Sequence, residues 1–507
     1  MNLSKYARIV SCLAAGGLLL VGLFLLLNGT SQVARADPGD LFVSSSGSGS
    51  ACTQAAPCAL QTALSQATDG DTIYVVGGTY TGVGSAVITI TKSITLYGGW
   101  DGAASGPVVR DPAAHVTILD GQGARRVVYI QGNITPTLDG LTITGGNASS
   151  APAAGYGGGI YSRDASPVIQ NNIIISNVGG ITPTYGTGGG LYLGYAPASA
   201  IISGNQILSN TSMIGGPGNG GGLYISYSDA TIRGNLVQSN TSSHYGGGMY
   251  ISYGAPRLIG NEIRGNVAVR NAGGIYISWG APLVQGNLVV GNLGGGDGHH
   301  WNGGGMEVSP AGSPTITGNQ FIGNSAGTGG GFGLSTGDWF TVTNNVIVHN
   351  SSGIRLWEVT RYGLIAHNTI AFNGGEGGIR LNYPYITPTI VNNIVVSNTY
   401  GISAHADASG TLDYNDVWGN TTQDYNLPGA LQPGPHSLQA DPLFVDPAGD
   451  DYHLRAGSPC IDVGLDVGVT TDLEGHPRPH DGGYDLGAYE YGLWHWLYLP
   501  VVMKNHP

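Results

Sequence analysis

Charged residues make up only 10% of this 507-residue chain, so the places where they gather are the first to test for chemistry. One insert holds Asp297, His299, His300 and Trp301, and Glu307 follows it. Asp338, Trp339, Arg355, Trp357, Glu358, Arg361 and Arg380 come next, on adjoining copies of a repeat. Eliminative cleavage of a uronate needs a cation to neutralise its carboxylate and a base to take the C5 proton. Arg355 or Arg380 is suited to either task, with Asp297 and Glu307 beside a calcium ion as the candidate metal ligands. Hydrolysis of a glycosidic bond needs paired carboxylates, and Glu307 with Asp338 is the pair to test. The catalytic candidates are therefore Glu307, Asp338, Arg355 and Arg380. No compact signature of a lyase or hydrolase accompanies them, and a solvated polar face accounts for the same residues. No cofactor is expected from the sequence, with calcium the one exception to test.

A second chemistry comes from aromatic rings. When the repeat copies are aligned, Tyr161, Tyr192, Tyr224, Tyr250 and Tyr276 fall in one column, and Tyr195, Tyr227, Tyr253 and Trp279 fall in another three residues further on. Members of a column on stacked coils lie about 5 Å apart. Sugars dock on exposed aromatics, which makes Tyr224, Tyr227, Tyr250, Tyr253, Tyr276 and Trp279 the candidate glycan-binding set. The competing expectation is an aromatic ladder that stabilises a sheet face by cross-strand contact.

The elements that position these residues come from internal repetition. Copies begin at Gly157, Gly188, Gly220, Gly246 and Ala272, as in GGGLYISYSDATIRGNLVQSN from Gly220, and weaker ones start near Gly303, Gly329, Gly353, Gly377 and Gly401. An Asn pair five residues apart closes each copy, from Asn172/Asn177 through Asn235/Asn240 to Asn415/Asn420, ten times without a slip. Constant spacing inside a copy and variable spacing between copies put the insertions in loops. Each copy carries three short runs with apolar side chains alternating at the strand period of two. One such coil cannot bury its own apolar face, whereas stacked coils bury a continuous column. Gly and Asn are expected at the corners, where left-handed backbone is favoured, with Asn amides stacking from coil to coil.

The pairing of Gly-Gly-(Gly/Ile/Leu) with a later (Phe/Ile/Val)-x-x-Asn, seen directly in Phe321-Ile322-Gly323-Asn324, resembles the repeat of polymorphic outer-membrane proteins. Over roughly residues 40 to 425 the array resembles the pectate-lyase-like superfamily. That resemblance implies an all-β fold, a right-handed parallel β-helix, and leaves activity open, because the fold hosts lyases, hydrolases, epimerases, adhesins and inert spacers.

The ends differ from the array. Lys5 and Arg8 precede the apolar run Ile9 to Leu27, and Ala34-Arg35-Ala36 supplies a small-x-small site, so residues 1–36 read as a secretory signal, with an uncleaved membrane anchor as the alternative. Residues 37–150 read as a cap and the first coils, with a helical patch at Ala59 to Leu64, and 151–425 as the repeat array. Residues 426–492, with Asp441-Pro442-Leu443-Phe444 and Gly457-Ser458-Pro459-Cys460-Ile461-Asp462, resemble the segment that the choice-of-anchor family, type Q, places after a β-helix. Cys460 replaces that family's usual small apolar residue, and the segment is expected to cap the array. The apolar tail 493–507 resembles sorting or attachment signals of exported proteins, or forms a strand packed on the cap. Cys52 and Cys58 enclose a short loop suited to a local disulfide in an oxidising compartment, and Cys460 reads as a buried thiol.

Net charge is −13 with no Lys/Arg-rich run, which argues against nucleic acid or an anionic membrane surface as partner. No later segment is apolar enough to span a bilayer once the signal is removed. Gly-rich matches to phosphate loops lack a following helix, and Gly294-Gly295-Gly296-Asp297 resembles a calcium nonapeptide only once. The expectation is an extracellular or cell-surface protein that binds a polysaccharide or cell-envelope glycan, or serves as an adhesive or structural module. The alternative is a carbohydrate-active enzyme, lyase before hydrolase, acting on a uronate-containing polysaccharide.

Overall fold

The structure is a computed structural model that describes residues 32–34, 39–181, 185–295, 303–327, 329–336, 339–357 and 362–492. The chain packs as two compact units: one runs through Leu283 and takes in Asn287–Ser309, and the other comprises Val284–Gly286 and the chain from Pro310 onward. Both are stacks of coils in which the coil strands pair in parallel with their equivalents one coil away.

In the first unit each coil contributes to three sheets. Val168–Gln170, Ile201–Ser203, Thr231–Arg233 and Arg257–Ile259 are neighbours in the first. Ile173–Ile175, Gln206–Leu208, Leu236–Gln238 and Glu262–Arg264 follow one another in the second. Ile160–Arg163, Leu191–Gly194, Leu223–Ser226, Met249–Ser252 and Ile275–Ser278 build the third. Middle residues such as Ile169, Ile202, Ile232 and Leu258 are almost fully buried, so like side chains stack in the interior while their strand neighbours face out. The inserts after the second Asn add a fourth, shorter sheet, including Val178–Ile181, Thr211–Ile214 and Thr241–Ser242, which the three-run reading of the sequence does not anticipate.

The paired asparagines form two buried hydrogen-bond ladders. Asn240 donates from Nδ2 to the Ile207 carbonyl at 2.8 Å and to Asn266 Oδ1 at 3.0 Å, while its own Oδ1 accepts from the backbone N–H of Asn210 at 2.9 Å. The same pattern recurs along Asn319, Asn345, Asn368, Asn393 and Asn415 in the second unit. The left-handed corners fall elsewhere than the sequence leads one to expect. The ladder asparagines do not themselves occupy the left-handed corners; the residue before each one does, as at Gly234 (φ 59°) before Asn235 and Ser239 (φ 55°) before Asn240. The left-handed residue turns the chain, and the Asn that follows points its amide inward, where only a partner in the next coil can satisfy it. At Gly222 a Cβ would stand 2.6 Å from the Gly248 carbonyl and 3.1 Å from the Asn240 amide, so the third glycine of the repeat lets the ladder approach the backbone.

At the N-terminal end Cys52 and Cys58 are disulfide-bonded, followed by the helix Leu60–Gln66 with Leu60 and Ala63 buried. Gln32–Ala34, within the segment read as a signal, pairs antiparallel with Val108–Arg110. Among the described residues no helix is long and apolar enough to cross a membrane.

In the second unit the C-terminal segment does more than close an end. Leu438 bridges to Asp416 on the last coil, as a cap would. Beyond it the chain lies along the outer face of Val346–Val348, Thr369–Ala371 and Ile394–Val396, where Phe444, Tyr452, Leu454, Cys460, Leu486 and Ala488 pack on Val346, Val348, Ala371, Ile394 and Val396. These strands are buried on both faces, which is why they read as continuous apolar runs.

Candidate functional site

The third sheet of the first unit carries both aromatic columns. Alternation along Leu223–Ser226 turns Leu223 and Ile225 inward and Tyr224 and Ser226 outward, and the chain then turns at Tyr227. The inner column begins one coil earlier than the sequence reading places it, at Tyr129. Centroids of Tyr129, Tyr161, Tyr192, Tyr224, Tyr250 and Tyr276 are 4.8–5.6 Å apart from neighbour to neighbour, with nearly parallel rings. Tyr161 and Tyr192 are buried, and Tyr224, Tyr250 and Tyr276 are half-buried. Ser252, Ser278 and Ser309 of the following coil lie beside the phenol oxygens of Tyr224, Tyr250 and Tyr276 and act to lower their pKa. Burial raises the phenol pKa of Tyr192 to about 12 and pushes those of Tyr224 and Tyr276 higher still, with the Glu307 carboxylate adding to the effect at Tyr276. Loop tyrosines cover part of this column, Tyr156 edge-on to Tyr192 and Tyr245 stacked on Tyr276. Alignment of the repeat misses them because they sit in inserts of unequal length.

The outer column is open to solvent. Tyr195, Tyr227, Tyr253 and Trp279 are 47%, 48%, 37% and 57% exposed. Tyr195 stacks on Tyr227 at 5.1 Å, Tyr227 on Tyr253 at 4.4 Å, and Tyr253 on Trp279 at 6.3 Å, with interplanar angles of 2°, 9° and 11°. All four residues have left-handed backbone, with φ of 54°, 48°, 61° and 58°. Left-handed backbone is costly for any residue with a Cβ, and the corners before the ladder asparagines show that Gly is available to this fold. Other corners of the fold also hold left-handed residues with a Cβ, among them His349, Phe372 and Tyr414, so what sets this stripe apart is four stacked, solvent-exposed rings in register on successive coils. At the first end the Arg163 guanidinium lies 4.9 Å from the Tyr195 ring centroid and 3.4 Å from Asp164.

The charged candidates fall differently. Glu307, in register with Tyr276, is buried in the first unit. Arg355 and Arg380 are register partners in the second unit, and Arg355 is in register with Gly333. Arg355 is buried, ion-paired with Glu376 at 3.3 Å, and 5.8 Å from the Trp357 ring; Arg380 reaches Asn382 at 3.4 Å. Trp357 is buried and Trp339 exposed. Asp297, His299, His300, Trp301, Asp338, Glu358 and Arg361 lie outside the described residues. Among the described residues no cluster of His, Cys, Asp and Glu is placed to hold a metal ion.

Sequence reasoning also misses a buried polar network that ties the C-terminal segment to the coils of the second unit. His367, fully buried, meets the Asp485 carbonyl through Nδ1 at 3.1 Å and the Asn392 amide through Nε2 at 2.9 Å. Those partners require a neutral ring with its proton on Nδ1, and burial together with the Arg478 charge holds the His367 pKa well below the usual value. Burial raises Asp485 to about 7 and Asp416 to about 6, and Asp416 accepts the Cys460 thiol at 3.3 Å. Their side chains are distant in sequence from the partners they meet, and no spacing marks them.

Parallel coils with in-register side-chain ladders define a β-helix repeat protein carrying an exposed aromatic stripe. Residues 126–297 and 297–422 match the right-handed β-helix region family, and the chain belongs to that family. No curated protein matches it. Among solved structures it is similar to pectate lyase Pel9A, at 14% identity over 90% of this chain and 98% of that one, with a TM-score of 0.37. It is also similar to a mutant form of the PL6-family alginate lyase AlyGC, at 14% identity over 89% of this chain and 59% of that one, with a TM-score of 0.45. At such identities the likeness is one of fold.

Proposed function

We propose that this chain is an exported, cell-surface β-helix protein that binds polysaccharide along the outer aromatic column. The observation that carries the reading is the set of four stacked rings, Tyr195, Tyr227, Tyr253 and Trp279, exposed at corners where a side chain is strained. A merely structural ladder is already supplied by the inner column, whose rings stack at 4.8–5.6 Å and are buried or half-buried from Tyr161 to Tyr276. The outer column adds a contiguous exposed aromatic surface, which binding would explain. In this reading the N-terminal signal exports the chain, the outer-membrane-protein-like repeats form the binding rod, and residues 426–507 serve surface attachment, with polysaccharide or cell-envelope glycan as partner.

The alternative, a lyase acting on a uronate-containing polysaccharide, is favoured by one observation, the two register-matched arginines Arg355 and Arg380, the first of them beside Trp357. Affinity electrophoresis of the purified protein in gels containing soluble polysaccharides, with and without calcium, separates the two. Retardation that is lost on Tyr253→Ala and Trp279→Ala supports the binding reading. New ultraviolet absorbance from unsaturated products, lost on Arg355→Ala, would overturn it in favour of the lyase.

A further inference from the structure

We infer that the outer column recognises an uncharged, extended polysaccharide lying along the stack, with about one sugar per coil and about four sugars in all. The inference rests on the glycan-binding reading and names its substrate class. It follows from what the column leaves available to a ligand.

The rings stack on one another with interplanar angles of 2–11°, so the faces of Tyr227 and Tyr253 are already covered. A sugar cannot lie flat on either ring. What faces solvent is a row of ring edges, tipped in Tyr195, Tyr227 and Tyr253 by phenol hydroxyls. Such a row offers apolar CH edges alternating with hydroxyl groups that both donate and accept. An extended, equatorially linked polysaccharide presents the same alternation along its own edge, and its advance per sugar is close to the coil repeat of about 4.8 Å. The inner column is less accessible, because Tyr224 and Tyr250 are half-buried and loop rings cover Tyr192 and Tyr276.

Charge decides the class. From the coil of Tyr192 to that of Trp279 the outward positions of this face are Tyr, Ser, Gly or Trp, with no ionisable group other than phenols. At the first end of the stripe Arg163 is held by Asp164 and the Tyr195 ring, exposed Asp229 stands in the turn two residues after Tyr227, and Glu307, in register with Tyr276 in the inner column, is buried. Arg233 and Arg257 belong to the first sheet, beyond the turn that follows the column, and do not repeat from coil to coil. A polyuronate brings one carboxylate per sugar and would meet no periodic cation here, on a chain whose net charge is −13. A neutral chain meets no such penalty.

The test is calorimetric titration of the full chain with xylan- and glucan-derived oligosaccharides of increasing length, beside oligogalacturonates and alginate oligosaccharides, at low and high salt. Neutral oligosaccharides are expected to bind with affinity rising to about four sugars and flat beyond, independent of salt. Tyr253→Phe keeps the stack and removes one hydroxyl, and is expected to weaken binding about two- to tenfold. Preference for the uronates, or affinity that saturates at a single sugar, would overturn the inference while leaving glycan binding intact. Unchanged affinity in Tyr253→Phe would overturn the hydroxyl-row mode of recognition. Absence of binding to either class would instead bring down the glycan-binding reading itself.

Discussion

Replacing Tyr253 by Ala and by Gly isolates the strain at the outer column. The residue sits at φ 61°, and its backbone N–H is anchored to the Ser278 carbonyl at 2.8 Å, so the conformation is enforced by the next coil. Either substitution removes the contacts with Tyr227 and Trp279, a loss of about 0.5–1.5 kcal/mol for each ring pair. The two variants differ only in the Cβ. Keeping it in left-handed backbone costs roughly 1–2 kcal/mol, while Gly pays about 0.4–1 kcal/mol through the greater freedom of its unfolded chain. Tyr253→Gly is therefore expected to be more stable than Tyr253→Ala by about 0.5–1 kcal/mol, the reverse of the usual order in a strand. Tyr250, one column inward and absent from the left-handed positions, is the control, where Ala should be the more stable. Urea unfolding midpoints of the four variants, checked by hydrogen exchange of the coils around Tyr253, provide the measurement. An alanine variant at 253 as stable as the glycine variant would refute the claim that this column is held under strain.

Two further outcomes follow from the buried polar groups. Asn240→Ala would leave the Ile207 carbonyl and the Asn210 backbone N–H without their partners, at roughly 2–6 kcal/mol for the two, so hydrogen exchange should accelerate in the coils on either side; unchanged protection would show that the ladder is dispensable. The pH response of the C-terminal segment should be a balance of opposed groups. His367 stays neutral when folded while its unfolded counterpart takes a proton below about 6.5, so its contribution is complete above that pH and lost as pH falls. Asp485, raised to about 7, holds its proton when folded, so its contribution favours the folded state at low pH and is lost as pH rises from 3.8 to 7. Asp485→Asn removes the second contribution, and proteolysis within 441–491 should then rise more steeply on acidification than in the parent; an unchanged pH profile would refute the assignment.

The repeat makes much of this fold legible without coordinates. Asn pairs at constant spacing can only stack in register, because a buried amide finds its partner at the same phase of the next coil, and the burial of Asn172 through Asn415 follows from that alone. Strand alternation likewise places Tyr224 outward and Ile225 inward before any coordinate is known. The local pattern could not say which outward rings remain in solvent. Tyr224 and Tyr227 both face away from the core, yet Ser252 and the loop rings enclose the inner column, and the turn leaves the outer one exposed.

The same division holds in the second unit. The apolar runs Val346–Val348 and Ile394–Val396 hint at burial on both faces, but only the tertiary structure shows that residues 441–491 fold back to cover them. Periodic contacts are dictated by the sequence because each residue meets its own kind one coil away. Contacts such as His367 with Asp485, 118 positions apart, obey no period, and chain folding alone brings them together.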